Sequence, residues 1–230
     1  VIGSEYHSGG LDMTTRGRNI SVIFGDGAGA VVMTRTENLS EGVLSSHLHS
    51  QGKYAEELSL IGPNTGRWVP EIMEANDPED ISYYPYMNGQ FVFKNAVVRF
   101  AEVIKEGLEK TSWSADQIDL LIPHQANLRI AQFVQKKFGL SDDQVYNNIQ
   151  RYGNTTAASI PIALTEAWEE GKVEQGTKVV LAAFSQRRKT IRNTLKPFLN
   201  DDDFNQLGID AQQRAENLSV ADFVAITNYL

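Results

Sequence analysis

The chain has 230 residues, 41% of them hydrophobic and 22% charged, with a formal net charge of -8 and no cysteine. A chain of this length and apolar content builds one large domain or two small ones, burying roughly 70% of its unfolded surface, which excludes the disordered, collagenous and coiled-coil classes. The absence of cysteine excludes a disulfide scaffold, a Cys-ligated zinc or iron-sulfur site, and catalysis through a cysteine of these residues.

The acidic balance argues against bulk nucleic-acid binding while leaving room for a local basic patch. Apolar runs such as Val179 to Phe184 fall far short of the roughly 20 residues needed to span a bilayer. No basic segment followed by an apolar one opens the chain, so no signal peptide is read. The expectation is a cytoplasmic protein with no membrane association. Val1 in place of an initiator Met suggests a start inside a longer gene product.

In chain order, Ile20 to Met33 (ISVIFGDGAGAVVM) sets two β-branched runs about a Gly/Asp-rich segment, predicting strand, turn and strand. Gly25 to Gly29 lacks the helix and Lys of a phosphate loop and reads as a tight structural turn. Gly42 to His49 alternates well enough for a strand. Gln51 to Gly89 is rich in Gly, Pro and Asn and predicts a long loop. Phe93, Val97, Phe100, Ile104 and Leu108 form the stripe of an amphipathic helix over Phe91 to Leu108. Ser114 caps a short turn before a strand over Ile118 to Pro123.

A helix over Asn127 to Phe138 stops at Gly139, and a second, from about Thr156 to Glu170, stops at Gly171. Pro161 lies in its first turns, where a missing N–H is tolerated. Lys178 to Phe184 suits a strand buried on both faces. Strands alternating with helices predict an α/β layered domain. Beyond Phe184 the composition changes. Ser185 to Lys196 carries five cations and no acid, Asp201 to Asp203 is an acidic run, and Leu218 to Leu230 is helical by period.

Of the four histidines, His7, His47 and His49 lie beside polar strand ends without the partners of a metal site, and no metal is expected. His124 differs. It follows the strand at Pro123 and precedes Gln125, Ala126 and Asn127 at a helix start, the strand end where α/β proteins place their ligands. Asn154, in the small-residue run Gly153 to Pro161, reads equally as a helix cap or as an amide donor near a helix's positive end.

Three segments in order and spacing, GDGAGAVVM (Gly25 to Met33), IPHQANLRI (Ile122 to Ile130) and GNTTAASIPIAL (Gly153 to Leu164), resemble the ketoacyl-acyl-carrier-protein synthase III family. The resemblance runs from Val1 to Phe184. It implies an incomplete thiolase-like fold, with residues 1–41 ending the first half and 42–184 forming most of the second. It implies acyltransferase activity, the decarboxylative Claisen condensation of an acyl-CoA with malonyl-acyl-carrier protein that initiates fatty acids. The family's triad is Cys-His-Asn, matched here by His124 and Asn154 only, so the chain alone is expected to be catalytically incomplete. The same resemblance implies coenzyme A contacts at Arg16, Gly17, Gly89, Phe93, Asn127 and Ile130. A patch for the acidic carrier protein is implied at Arg129, Lys94, Lys136 and Lys137, cations that read alternatively as a solvated helix face. Coenzyme A thioesters are expected as substrates with no cofactor, and the complete family member is a homodimer.

Residues 185–230, through RRKTIRNTLK, LGID and RAENLSVADFVAITNYL, resemble instead the carboxyl end of the small-subunit ribosomal RNA dimethyladenosine transferases, without their cofactor or catalytic motifs. This implies a helical tail with an RNA contact at Arg187, Arg188 and Arg192, and a composite chain. The alternatives to a condensing-enzyme portion are therefore a non-catalytic RNA-binding module or a methyltransferase remnant.

Overall fold

A computed structural model of the protein describes residues 1–38, 40–60, 83–183, 199–210, 225–226 and 229. One unit comprises Val1–His47 and Glu56–Phe184, and a second comprises Leu48–Ala55 and Ser185–Leu230.

In the first unit, β1 (Ile2–Glu5) pairs antiparallel with β2 (Gly27–Ala30), Gly3 opposite Gly29. This corrects the strand-turn-strand expected over residues 20–33. The run before the glycines forms a short helix, α1 (Arg18–Ser21), continued by the Ile23 N–H donating to Ile20 C=O at 2.9 Å. The strand is made of the glycine-rich residues themselves. They stand where no side chain fits: a Cβ on Gly29 would lie 2.6 Å from Pro161 Cβ, and one on Gly3 would lie 2.2 Å from the Ala157 carbonyl oxygen. Small residues on both sides let the Gly153 to Pro161 segment rest directly on the β1–β2 ribbon. Gly29→Ala is therefore expected to destabilise the fold by about 1–3 kcal/mol, the usual cost of overpacking. An unchanged urea midpoint for the variant would contradict this packing.

Residues 42–49, expected as a strand, join no ladder in the described structure. A two-residue pair, β3 (Leu58–Ser59) with β4 (Tyr86–Met87), interrupts the expected loop, whose residues 61–82 lie outside the described set. Asn88 then caps α2 (Gly89–Thr111) by accepting the Phe91 N–H, and the helix ends at Ser112 in the left-handed region. Of its predicted stripe Val97, Phe100, Ile104 and Leu108 are buried and Phe93 is half-buried, with Ala96 and Ala101 buried beside them. Ser114 opens a 3-10 turn through a capping box with Gln117.

Two parallel strands follow, β5 (Leu120–Pro123) and β6 (Val179–Ala182). Between them lie α3 (Leu128–Phe138), ended by Gly139 at φ 67°, α4 (Ile149–Tyr152) and α5 (Ser159–Glu169). Alternation along β5 defines the layers. Leu121 packs among Phe100, Ile104, Ile130 and Val134 of α2 and α3, while Leu120 and Ile122 pack with Tyr146, Ala163 and Ala167 on the α5 side. Helices thus cover both faces of β5. β6 departs from the expectation of burial on both faces, since Leu181 is 50% exposed. Among the described residues β6 pairs only with β5.

In the second unit, α6 (Asp201–Leu207) begins with the acidic run. Asn200 accepts the Asp202 and Asp203 N–H groups, and carboxylates in a first turn favour the positive end of the helix dipole. Leu199, Phe204, Ile209 and Ile226 form a small apolar core.

Candidate active site

The end of β5 is held by three attachments. The His124 N–H donates to Ala182 C=O at 2.7 Å, extending the parallel ladder by one residue. Gln125, 3% exposed, donates from Nε2 to Pro123 C=O at 2.7 Å and accepts the Asn148 N–H at Oε1, 3.0 Å. Asn127 caps α3 by accepting the Arg129 N–H at 2.9 Å. Between these anchors the His124 ring is half-buried, and its Nδ1 lies 2.5 Å from Ser159 Oγ. Desolvation lowers the imidazole pKa to about 4, so the ring is neutral at pH 7.

Asn154 is fixed from a different direction. Its N–H donates to Ile23 C=O at 2.8 Å, and its C=O accepts the Gly25 N–H at 3.1 Å. Its Oδ1 accepts the Thr156 N–H at 2.9 Å. With the oxygen end of the amide committed to the backbone, the NH₂ end is the one turned away from that turn. Thr156 holds φ at 40°, an uncommon conformation for a β-branched residue. His124 is tied to Ser159, one 3-10 turn downstream of Asn154, so the start of α5 joins the strand end carrying His124 to the segment carrying Asn154.

Sequence reasoning missed two contributors to this region. Ser159 was read only as one of several small residues. His7 lies with its Nε2 3.3 Å from Thr156 Oγ1 and its ring 4.7 Å from that of Phe24. Its N–H donates to Asp26 Oδ1, which with Oδ2 also holds the Ser8 N–H and hydroxyl. A residue's distance in sequence from the motif it touches left no pattern to read.

The segment before α5 is locked by Glu166. Asn148 Nδ2 and Arg151 donate to its Oε2 at 2.7 and 2.6 Å, and the Tyr152 hydroxyl donates to Oε1. Burial alone would raise this carboxyl, but the bonds from Tyr152 and Asn148 and the Arg151 charge hold it below the usual range.

The expected coenzyme A residues occupy several places. Arg16 donates from Nε to Asp12 Oδ2 at 2.6 Å, and its guanidinium stacks 4.6 Å over the Tyr84 ring. The Thr14 hydroxyl, then Arg16 and the Thr14 N–H, hold the Asp12 carboxyl down to about 2. A Cβ on Gly17 would lie 2.0 Å from the Asp12 carbonyl oxygen. Gly89 is the exposed first residue of α2, and Phe93 packs half-buried against the α2–α3 core. Ile130 is 4% exposed and belongs to that core, so its side chain supports α3 from beneath. Lys94, Arg129, Lys136 and Lys137 are exposed, the last two in the final turn of α3. His47 Nδ1 lies 3.5 Å from Glu106. Arg187, Arg188 and Arg192 lie outside the described residues. No helix among the described residues is long and apolar enough to cross a membrane.

Two family models match the chain: 3-oxoacyl-(acyl-carrier-protein) synthase III over residues 1–52, and the C-terminal part of the same enzyme over residues 108–186. The β-ketoacyl-(acyl-carrier-protein) synthase III of Escherichia coli strain K12 is 43% identical over 184 residues, which is 80% of this chain and 53% of that protein. The Aliivibrio fischeri enzyme of the same name is 40% identical over the same coverage. The crystal structure of 3-oxoacyl-(acyl-carrier-protein) synthase III from Aquifex aeolicus aligns with a TM-score of 0.69 at 39% identity, covering 81% of this chain and 53% of that one. The Pseudomonas aeruginosa structure aligns at 0.67 and 32% identity, covering 80% and 53%. The chain thus spans about half the length of these relatives. The matches do not support the methyltransferase resemblance of residues 185–230. The architecture is the thiolase-like α/β fold of these neighbours, and over about 80% of its length the chain belongs to the 3-oxoacyl-(acyl-carrier-protein) synthase III family.

Proposed function

We propose that this chain supplies the His-Asn side of a decarboxylative condensing site, joining an acyl group from an acyl-CoA to malonyl-acyl-carrier protein, with the cysteine that carries the acyl group provided from outside these residues. The observation that supports this reading best is the bond that ties a neutral, desolvated His124 to Ser159, in the segment that also carries Asn154. Loss of CO₂ from a malonyl thioester leaves the pair of electrons of the broken C–C bond on the α-carbon and thioester oxygen. Two neutral donors in place before that charge appears stabilise the enolate without reorganising. The enolate carbon then attacks the acyl thioester, a C–C bond forms, and the cysteine thiolate leaves.

In this reading Arg16, Gly17, Gly89, Phe93 and Asn127 meet coenzyme A, with Ile130 behind them, and Arg129, Lys94, Lys136 and Lys137 attract the acidic carrier protein. The complete enzyme is a dimer acting in the cytoplasm. Incubating the chain alone with an acyl-CoA and measuring its intact mass tests the division of labour. No stable acyl adduct is expected, because no thiol is present. A stoichiometric acyl-mass adduct on this polypeptide would overturn the reading.

A further inference from the structure

The ring orientation of His124 matters only if the correct nitrogen carries the proton, and the structure contains a group able to decide this. Ser159 is 2% exposed, so its hydroxyl proton requires an acceptor. Its Oγ makes two contacts among the described residues: it accepts the Gln125 N–H at 3.4 Å, and it lies 2.5 Å from His124 Nδ1. The first uses Oγ as an acceptor and leaves its proton free. The second is then the place for that proton. If Nδ1 carried hydrogen instead, both nitrogens would donate to Oγ, and a buried hydroxyl would be left with no acceptor, an unfavourable state.

We propose that Ser159 is a positioning residue that sets the tautomer of His124: Ser159 Oγ–H donates to Nδ1, so that Nε2 carries the hydrogen and is the ring's outward donor. This rests on the proposed role of His124 as an oxyanion donor, and it explains how a neutral imidazole is held in the donating form at the one nitrogen free to meet substrate. Burial, which keeps the ring uncharged near neutral pH, leaves the choice between two neutral tautomers open. The buried hydroxyl closes it. Gln125 contributes twice, through its backbone N–H to Ser159 and through the side-chain bonds that pin the strand end carrying His124.

The test is long-range ¹H–¹⁵N correlation spectroscopy of the histidine rings in the full ¹⁵N-labelled chain at neutral pH, with His124 assigned by the signals lost in His124→Gln. The expected result is an unprotonated Nδ1 and a protonated Nε2. In Ser159→Ala that preference is expected to be lost, with averaged or reversed ring shifts, while Ser159→Thr, which keeps the hydroxyl, retains it. A protonated Nδ1 in the unmodified chain overturns the proposal whether or not the Ala variant folds. Retention of the Nε2-protonated form in a folded Ser159→Ala also overturns it. None of these readouts involves thioester chemistry. A normal tautomer pattern with no decarboxylation in the completed enzyme would sink the functional reading alone. A reversed pattern in an active enzyme would sink this inference alone.

Discussion

Asn154→Ala, in an enzyme completed with a cysteine-bearing polypeptide, is expected to slow malonyl decarboxylation about 10²–10³-fold, the usual loss when one preorganised oxyanion donor is removed. The selectivity of the effect matters as much as its size. Acyl transfer to the cysteine should persist, because Asn154 is proposed to donate to the enolate oxygen formed later. The substitution also removes the acceptor of the Thr156 N–H, a loss of the kind that costs about 0.5–2 kcal/mol at a helix cap. Asn154→Asp separates the two roles: a carboxylate still accepts from Thr156 but cannot donate to an oxyanion. Decarboxylation falling in both variants, with the Asp protein as stable as the parent, is the expected pattern. Undiminished CO₂ release from either folded variant would remove Asn154 from the chemistry.

The second large effect is acid lability controlled by His124. Its folded pKa of about 4 lies below the ordinary imidazole value of 6.5. Between those values the unfolded chain binds a proton that the folded chain does not, so stability falls as pH drops from 6.5 towards 4 and levels below that. The contribution is of the order of 3 kcal/mol at full development. The depressed carboxylates act elsewhere: Asp12, ordinarily 3.8 and held at about 2, loses its contribution only as pH falls through that lower window. Urea midpoints measured across the acid range should therefore show a slope between pH 6.5 and 4 that disappears in His124→Gln. A slope unchanged in that variant would assign the acid transition to other groups.

Much of the fold from α2 to β5 was legible because its signals are local. Phe100 and Ile104 lie on a clean helical stripe, Gly139 stops α3 in a left-handed conformation, and Ser114 opens its turn through a capping box with a residue three positions on. His124 and Asn154 stand out because they occupy specific motifs, and the structure ties His124 to Ser159, in the segment that carries Asn154. The failures came where the deciding contact is remote. Gly27 and Gly29 looked like a turn, yet they form a strand whose lack of side chains serves the approach of Pro161 and Ile162 far along the chain. Leu181 looked buried because its neighbours are apolar, but its exposure depends on what packs over that face of β6. Ser159 is one small residue among many until the fold sets it against the His124 ring.

In the proposed function His124 and Asn154 of this chain complete a site whose nucleophile lies outside these residues. Its most direct test is CO₂ release from a malonyl thioester, measured with this chain, with a polypeptide corresponding to the part of its relatives outside the match, and with both together. Release and condensed product are expected only in the mixture, and neither when the mixture contains the His124→Ala/Asn154→Ala chain. Equal release with that double variant, after confirming that it folds and associates, would show that the two residues take no part in the chemistry.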